Sequence, residues 1–206
     1  MDEYQLKIIF FHELGHFIAH VMNQKYLDGL GVEEMKIFSR PMDGYNGYIK
    51  LIRPDGYVEG NVIPIDRLSQ HLASLTYGCL FQSYYESEKV NKDAPERGLE
   101  VFDSCLGKRA GCDDVNKWRA ALDNCNKGHY AGDVAEMESD YFLSLLKDKV
   151  LEDFMQIDPV KYLVKDEFGD YTGETGKLTT NLQIAIDKHS RLYLTLIDRY
   201  KHVLEI

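Results

Sequence analysis

The chain has 206 residues, of which 44% are apolar and 28% are charged, so it is long enough to bury one sizeable core, and a single domain over residues 1–206 is expected. Its formal net charge of −10 argues against a nucleic-acid partner, because phosphate binding needs clustered Lys and Arg side chains. The four cysteines are too few for a disulfide scaffold and lack the CxxC spacing of structural zinc sites, so reduced thiols are expected.

No stretch of the sequence suits a membrane span or a secretion signal. The most apolar stretch, residues 6–22, is interrupted by charged residues and histidines, so it does not give the ~18 consecutive apolar residues that a span needs. The first residues, Met-Asp-Glu-Tyr, lack a positive region and a small-residue cleavage site. We therefore expect a cytoplasmic protein without a membrane partner.

The first predicted elements are a helix and a β-hairpin. Residues 6–21 place apolar side chains at three- and four-residue intervals, which predicts a helix that is buried on most sides and ends before Gly29 and Gly31. Residues 32–40 and 46–53 then alternate β-type residues and are separated by a Pro-Met-Asp-Gly turn signal. This pattern predicts a hairpin and therefore a small sheet.

A second helix is predicted over residues 65–88, where leucines recur on one side. Gly78 lies inside this helix at a cost of about 1 kcal/mol relative to Ala, which indicates a close approach by another element. From residue 89 to 127 the pattern weakens into a polar, glycine-containing region. We interpret this region as an insertion that holds short helices near residues 99–106 and 115–122.

The last third of the chain returns to long helical patterns. A third long helix is predicted to begin near Asp133, glycines mark a loop at 169–176, and a final helix covers residues 178–204. Together the elements predict an α+β fold that is mainly α-helical, with a small β-sheet or hairpin.

Residues 12–16 read His-Glu-Leu-Gly-His, an HExxH motif on the first predicted helix. At about 100° per residue, His16 lies about 40° round from His12 and one turn further along, so both imidazoles can reach one metal ion. Glu13 is offset by one residue, so it can avoid ligation and still reach a water beside the metal as a general base. Burying these groups unpaired would be costly, and a divalent cation offsets that cost. The motif predicts zinc held by His12 and His16; the alternative is a surface cluster.

His20 follows the motif by a further four residues. It is a candidate fourth ligand, a hydrogen-bond donor behind the ligands, or a core histidine. A catalytic zinc keeps three protein ligands and one open position, which favours the second and third interpretations.

Four segments resemble, in the same order along the chain, the peptidase domain of the FtsH-type AAA proteases. The first is Phe-His-Glu-Leu-Gly-His at 11–16, which is similar to that family's HEAGH helix, and the second is 32–40 with Gly47, Tyr48 and Pro54, which is similar to its strand pair. The third, 69–78, is similar to the helix that leads into the family's GGRxAEE element. The fourth, Tyr-Ala-Gly-Asp-Val at 130–134, is similar to its GASND stretch. The resemblance implies a zincin-like metallopeptidase domain.

By position, the resemblance implies that Asp133 is the third zinc ligand, with water in the fourth place. The residues alone also allow a structural role, because Asp133 precedes an apolar helical series and Glu136 follows three residues later, which is a capping-box pattern. Glu86, His129 and Glu136 are other candidate ligands of suitable chemistry.

The sequence departs from the FtsH pattern at three points. The GGRxAEE-like site lacks the Arg and both Glu residues, and Gln82 stands where the first Glu would be, where it could hydrogen-bond the site without carrying charge. The region 89–127 has no counterpart in the family. No P-loop motif and no membrane segment occur in the sequence, so cleavage without ATP is expected.

These observations favour a zinc metallopeptidase that hydrolyses peptide bonds in peptides and in unfolded or flexible protein segments. One alternative is a catalytically idle, zinc-containing regulatory or binding module. Another is a regulator-cleaving protease of the ImmA/IrrE type, whose motif also reads HELGH with a His four residues on; its third ligand would lie elsewhere. Assembly into a homo-oligomer is left open, because FtsH kinship would allow a ring.

Overall fold

The computed structural model describes residues 3–40, 44–53, 63–90, 109–147 and 149–206. In chain order its helices and strands are α1 (Glu3–Tyr26), β1 (Val32–Arg40), β2 (Gly44–Leu51), α2 (Leu68–Val90), α3 (Arg109–Asn124), α4 (Ala131–Lys147), α5 (Glu152–Met155), β3 (Leu163–Lys165), β4 (Tyr171–Gly173) and α6 (Thr175–Leu204). The fold is α+β and mainly helical, as the sequence predicts. The short helix expected near 99–106 lies outside the described residues.

The strands form one antiparallel sheet in the order β2-β1-β4-β3, which leaves β2 at an edge of the described sheet. The predicted hairpin is confirmed, with Ile37 of β1 opposite Gly47 of β2. On its other side, Ile37 lies opposite Tyr171 of β4. β4 lies inside the loop predicted at 169–176, and β3 was not predicted, because strands of three residues are too short to give an alternating pattern. Gly169 belongs to the turn between the two strands, where its φ is +90°.

Helix α1 is buried on most sides, as its apolar surface predicts, and packs directly against α2. A Cβ atom on Gly15 of α1 would lie 2.1 Å from the carbonyl oxygen of Tyr77, so the two backbones approach more closely than any other residue would allow. The close approach predicted at Gly78 is confirmed, because a Cβ there would lie 2.4 Å from Nε2 of His16. The two glycines therefore set the spacing at which α2 meets the motif.

Helix α3 lies in the region interpreted as an insertion. It extends the helix predicted near 115–122 and turns one face into the core, where Val115, Trp118, Ala121 and Leu122 are buried. The start of α3 was missed because its first turn, from Arg109, carries no apolar period. This half of the region is thus part of the packed domain.

A buried carboxyl group joins four helices. Oε1 of Glu138 on α4 accepts hydrogen bonds from Trp118 Nε1 on α3 at 2.9 Å, from Thr76 Oγ1 on α2 at 3.1 Å and from the Tyr200 hydroxyl on α6. Burial raises the pKa of Glu138 to about 7, against the effect of these three donors, which lower it. The network fixes α3 against the rest of the domain.

Among the described residues, no helix combines the length and the apolar character that a membrane crossing requires.

The raised pKa of Glu138 predicts a pH-dependent stability. A carboxyl that titrates near 4.5 in the unfolded chain and near 7 in the fold contributes its full stabilisation below pH 4.5 and loses it as the pH rises to 7. Between pH 5 and pH 8, the free energy of unfolding of the wild type should therefore fall by up to about 3 kcal/mol relative to Glu138→Gln. Denaturant unfolding at both pH values measures this difference.

The exposed Glu136→Gln variant on the same helix is the matched control for the change in net charge, and it should follow the wild type. An identical pH dependence in the wild type and in Glu138→Gln would contradict the assignment.

Candidate metal centre

The HExxH motif lies at the buried centre of α1, between α2 and the β2 edge of the sheet. His12, Glu13 and His16 are 3%, 4% and 8% exposed, and Asp114 of α3 is 6% exposed. Three titratable groups on one helix and a fourth on another are thus enclosed together, although the unpaired burial of such groups is unfavourable. A surface cluster, the alternative reading of the motif, is wrong.

Three ligand atoms converge on one point. Nε2 of His12 and Nε2 of His16 lie 3.1 Å apart, and Oδ2 of Asp114 lies 2.8 Å and 3.1 Å from them respectively. In a tetrahedral zinc site with ligands at about 2.0–2.2 Å, neighbouring ligand atoms lie about 3.3 Å apart, so this triangle needs to widen only slightly. The group of His12, His16 and Asp114 could therefore hold a metal ion.

The third member of this group differs from the one implied by the FtsH resemblance. Asp133 is exposed at the start of α4, where it lines a surface groove with Arg199 and His202 of α6, and it does not belong to the group. The helix begins two residues before Asp133, at Ala131, so Asp133 lies inside its first turn and not at the N-cap that the capping-box pattern predicted. The other candidates, Glu86, His129 and Glu136, are also outside the group.

Asp114 was missed because it lies in the region interpreted as an insertion. One signal in the sequence could have found it: Asp114 precedes Trp118 by four residues and Leu122 by eight, so it stands in the apolar stripe of α3. A carboxylate on the buried face of an amphipathic helix requires a partner, and a metal ion or a histidine pair supplies one.

His16 is oriented by α2. Its Nδ1 lies 2.7 Å from the carbonyl oxygen of Ser74, and because a carbonyl only accepts, Nδ1 carries the proton. Nε2 is then the ring nitrogen that faces His12 and Asp114 and that a metal ion would bind. The absent side chain of Gly78 leaves the space that this ring occupies.

The charges of the group stabilise one another. Burial alone would raise the pKa of Asp114, but the His16 charge and hydrogen bonds from both imidazoles hold it well below its usual range. Burial likewise disfavours the charged form of His16, and Asp114 outweighs it and raises the pKa of His16 to about 9. A positive charge next to Asp114 is therefore favoured, and a bound metal cation would supply one.

Glu13 stands beside the ligand group without joining it. Its Oε2 is buried and has no hydrogen-bond partner among the described residues. A Cβ atom on Gly47 of β2 would lie 2.6 Å from its Oε1, so the carboxylate occupies the space left by the missing side chain. Burial raises the pKa of Glu13, and the neighbouring His16 and His12 oppose that rise.

Two further side chains surround the group. Nζ of Lys117, one turn after Asp114, lies 3.5 Å from its Oδ1. His20 is not a member of the ligand group, and burial together with His16 and His71 lowers its pKa to about 3. Among the described residues, the group of candidate ligands therefore has three members.

No family model, curated protein or solved structure matches this chain. The kinship with FtsH-type peptidase domains stays a prediction carried by the motif segments.

Two alanine variants separate the two candidate third ligands. Asp114→Ala removes an atom of the converging triangle, so it should reduce the metal content of purified protein well below that of the wild type, whereas Asp133→Ala should leave it unchanged. Elemental analysis after dialysis against Zn²⁺ and desalting measures both. Metal lost from Asp133→Ala but retained by Asp114→Ala would contradict the site and restore the FtsH mapping.

Proposed function

We propose that the chain is a zinc-dependent peptidase with a zincin-like fold, related to FtsH-type peptidase domains, which hydrolyses peptide bonds in unfolded or flexible protein segments without ATP. The observation that carries this proposal is the position of Glu13, a buried carboxylate that adjoins three converging ligand atoms and is left out of their group. A site that only bound metal would have no use for it.

The donor set favours zinc. Two imidazole nitrogens and one carboxylate oxygen are the ligands of several catalytic zinc sites, and three protein ligands leave a fourth position open. When bound, the zinc would polarise the carbonyl of the scissile bond and acidify a water molecule. His12, His16 and Asp114 would hold the ion, and Ser74 would keep His16 in the required tautomer.

Glu13 would carry the proton transfers. Its unpaired Oε2 would accept a proton from the attacking water, and the same carboxylate would deliver that proton to the amine that leaves. Lys117 is a cation beside Asp114 and contributes positive charge near the reacting groups. Hydrolysis adds one water across one amide bond, so no other reactant is needed.

The edge of the sheet supports an extended substrate. β2 pairs only with β1 among the described strands, so its outer edge is open to a further strand, which would displace the Asn46 side chain from the Gly47 N–H that it accepts from at 3.0 Å. The edge runs past Glu13 at Gly47. Because only an extended chain can pair in this way, the proposed substrates are peptides, tails and unfolded segments.

Two observations favour competing functions. The four site residues are at most 8% exposed, which suits an idle zinc module that binds a partner through its surface. The position of Asp114, away from the FtsH-implied ligand, suits a protease of the ImmA/IrrE type with one specific regulator as its substrate. The presence of Glu13 favours the ImmA/IrrE-type protease over the idle module, because a structural metal ion has no need of a general base.

The Glu13→Gln variant tests the proposal. An amide cannot accept the proton, so cleavage of an unfolded protein such as casein should fall by about 10²- to 10⁴-fold, while the zinc content should stay at the wild-type value. Fluorescence release from labelled casein and elemental analysis measure the two effects. Undiminished cleavage by the variant would rule out Glu13 as the base, and a zinc-loaded wild type that cleaves no unfolded protein would favour the idle module.

The Gly47→Ala variant tests whether β2 adjoins the reacting groups. The added Cβ would lie 2.5 Å from Cγ of Glu13 and must displace the carboxylate, so cleavage should fall by about 10²-fold, the effect typical of a 1 Å misplacement, with zinc retained. Gly132→Ala is the matched control, because a Cβ there meets nothing within 4 Å. Equal activity of both variants would contradict the placement of Glu13 against β2.

A further inference from the structure

The two histidines of the ligand group are held unequally. His16 uses its second ring nitrogen to donate to the Ser74 carbonyl. Nδ1 of His12 is also buried, but it has no hydrogen-bond partner in the described part of the chain. When Nε2 of His12 binds an ion, the proton must sit on Nδ1, and a buried N–H group without an acceptor weakens the site.

An unused acceptor of the right kind lies on α2. Oε1 of Gln82 is buried and likewise lacks a partner within the described residues. Gln82 is one turn beyond Gly78, the residue that makes room for His16. Buried amide oxygens are normally hydrogen-bonded, so an unpaired one near a site calls for a partner.

The register of the two helices brings these groups to the same level. Three contacts define their antiparallel packing: Asn23 opposite Gln70, Gly15 opposite Tyr77, and Phe11 stacked on Tyr85. His12 lies between Gly15 and Phe11 on α1, and Gln82 lies between the partners of those two residues on α2. Nδ1 of His12 and Oε1 of Gln82, each buried and each unpaired within the described residues, therefore lie at the same height along the interface between α1 and α2.

We propose that Gln82 is the positioning residue of His12: its Oε1 accepts the Nδ1–H hydrogen bond and fixes the tautomer in which Nε2 binds the metal. This inference rests on the metal site proposed above. Oε1 of Gln82 is available for this role, because no hydrogen bond to another described residue holds it. The Gln82 hydrogen bond would thus orient the His12 ring in the way that the Ser74 carbonyl orients the His16 ring.

The neutral amide suits its surroundings. Glu13 and Asp114 already place two buried carboxyl groups in the site. A third would add unfavourable negative charge in the metal-free protein, whereas a glutamine accepts the hydrogen bond without charge. This explains why an amide can stand where the FtsH pattern has an acid.

Zinc affinity of the whole chain tests the proposal. In competition with a chromophoric chelator, Gln82→Met, which keeps the length of the side chain and removes the acceptor, should bind Zn²⁺ about 10- to 100-fold more weakly than the wild type. Gln82→Glu restores an acceptor and should bind at least as tightly as the wild type. Gln183→Met is the matched control, because that glutamine contacts Asp187 on α6, and it should bind as the wild type does.

Nitrogen-15 spectra of the imidazole groups give a readout that a merely structural role would not change. The zinc-loaded wild type should show His12 protonated at Nδ1 with slow exchange of that proton, and Gln82→Met should lose the protection. If the wild type binds zinc and Gln82→Met matches it in affinity and in the His12 spectrum, this inference is overturned and the metal site stands. If the wild type binds no zinc, the proposed function fails as well.

Discussion

The structure depends on enclosing two imidazoles and two carboxyl groups where water is nearly excluded. Such burial is unfavourable unless the charges are paired, and the three ligand atoms from His12, His16 and Asp114 meet this requirement by converging within 3.1 Å of one another. The convergence ties α1 to α3, which are far apart in sequence. Metal binding would thus couple directly to the packing of the domain.

Close packing of the neighbouring elements around α1 holds the side chains of the site in place. Gly15 and Gly78 let α2 approach α1 until a backbone carbonyl of α2 reaches the His16 ring. On the other side, Gly47 leaves space for Glu13 beside the sheet edge. Behind α3, the bond from Trp118 to Glu138 holds the helix that carries Asp114. His16, Glu13 and Asp114 are therefore each positioned by a neighbouring element: α2, β2 and α4 respectively.

The sequence predicts local features of the site well and long-range features poorly. His12, Glu13 and His16 are fixed by one helical period, and the hairpin by its alternation and turn, so both could be found from neighbouring residues. Asp114 comes from a helix about a hundred residues away whose first turn carries no pattern, so only the fold brings it to the histidines. Asp133 was implied by resemblance, and its own neighbours already indicated a helix start.

An anomalous difference map at the zinc edge, from crystals of the zinc-loaded protein, would locate the metal ion directly. We expect one peak per chain, within about 2.0–2.2 Å of Nε2 of His12, Nε2 of His16 and Oδ2 of Asp114, with Glu13 adjacent and unligated. A peak at other residues, or none after loading, would contradict it.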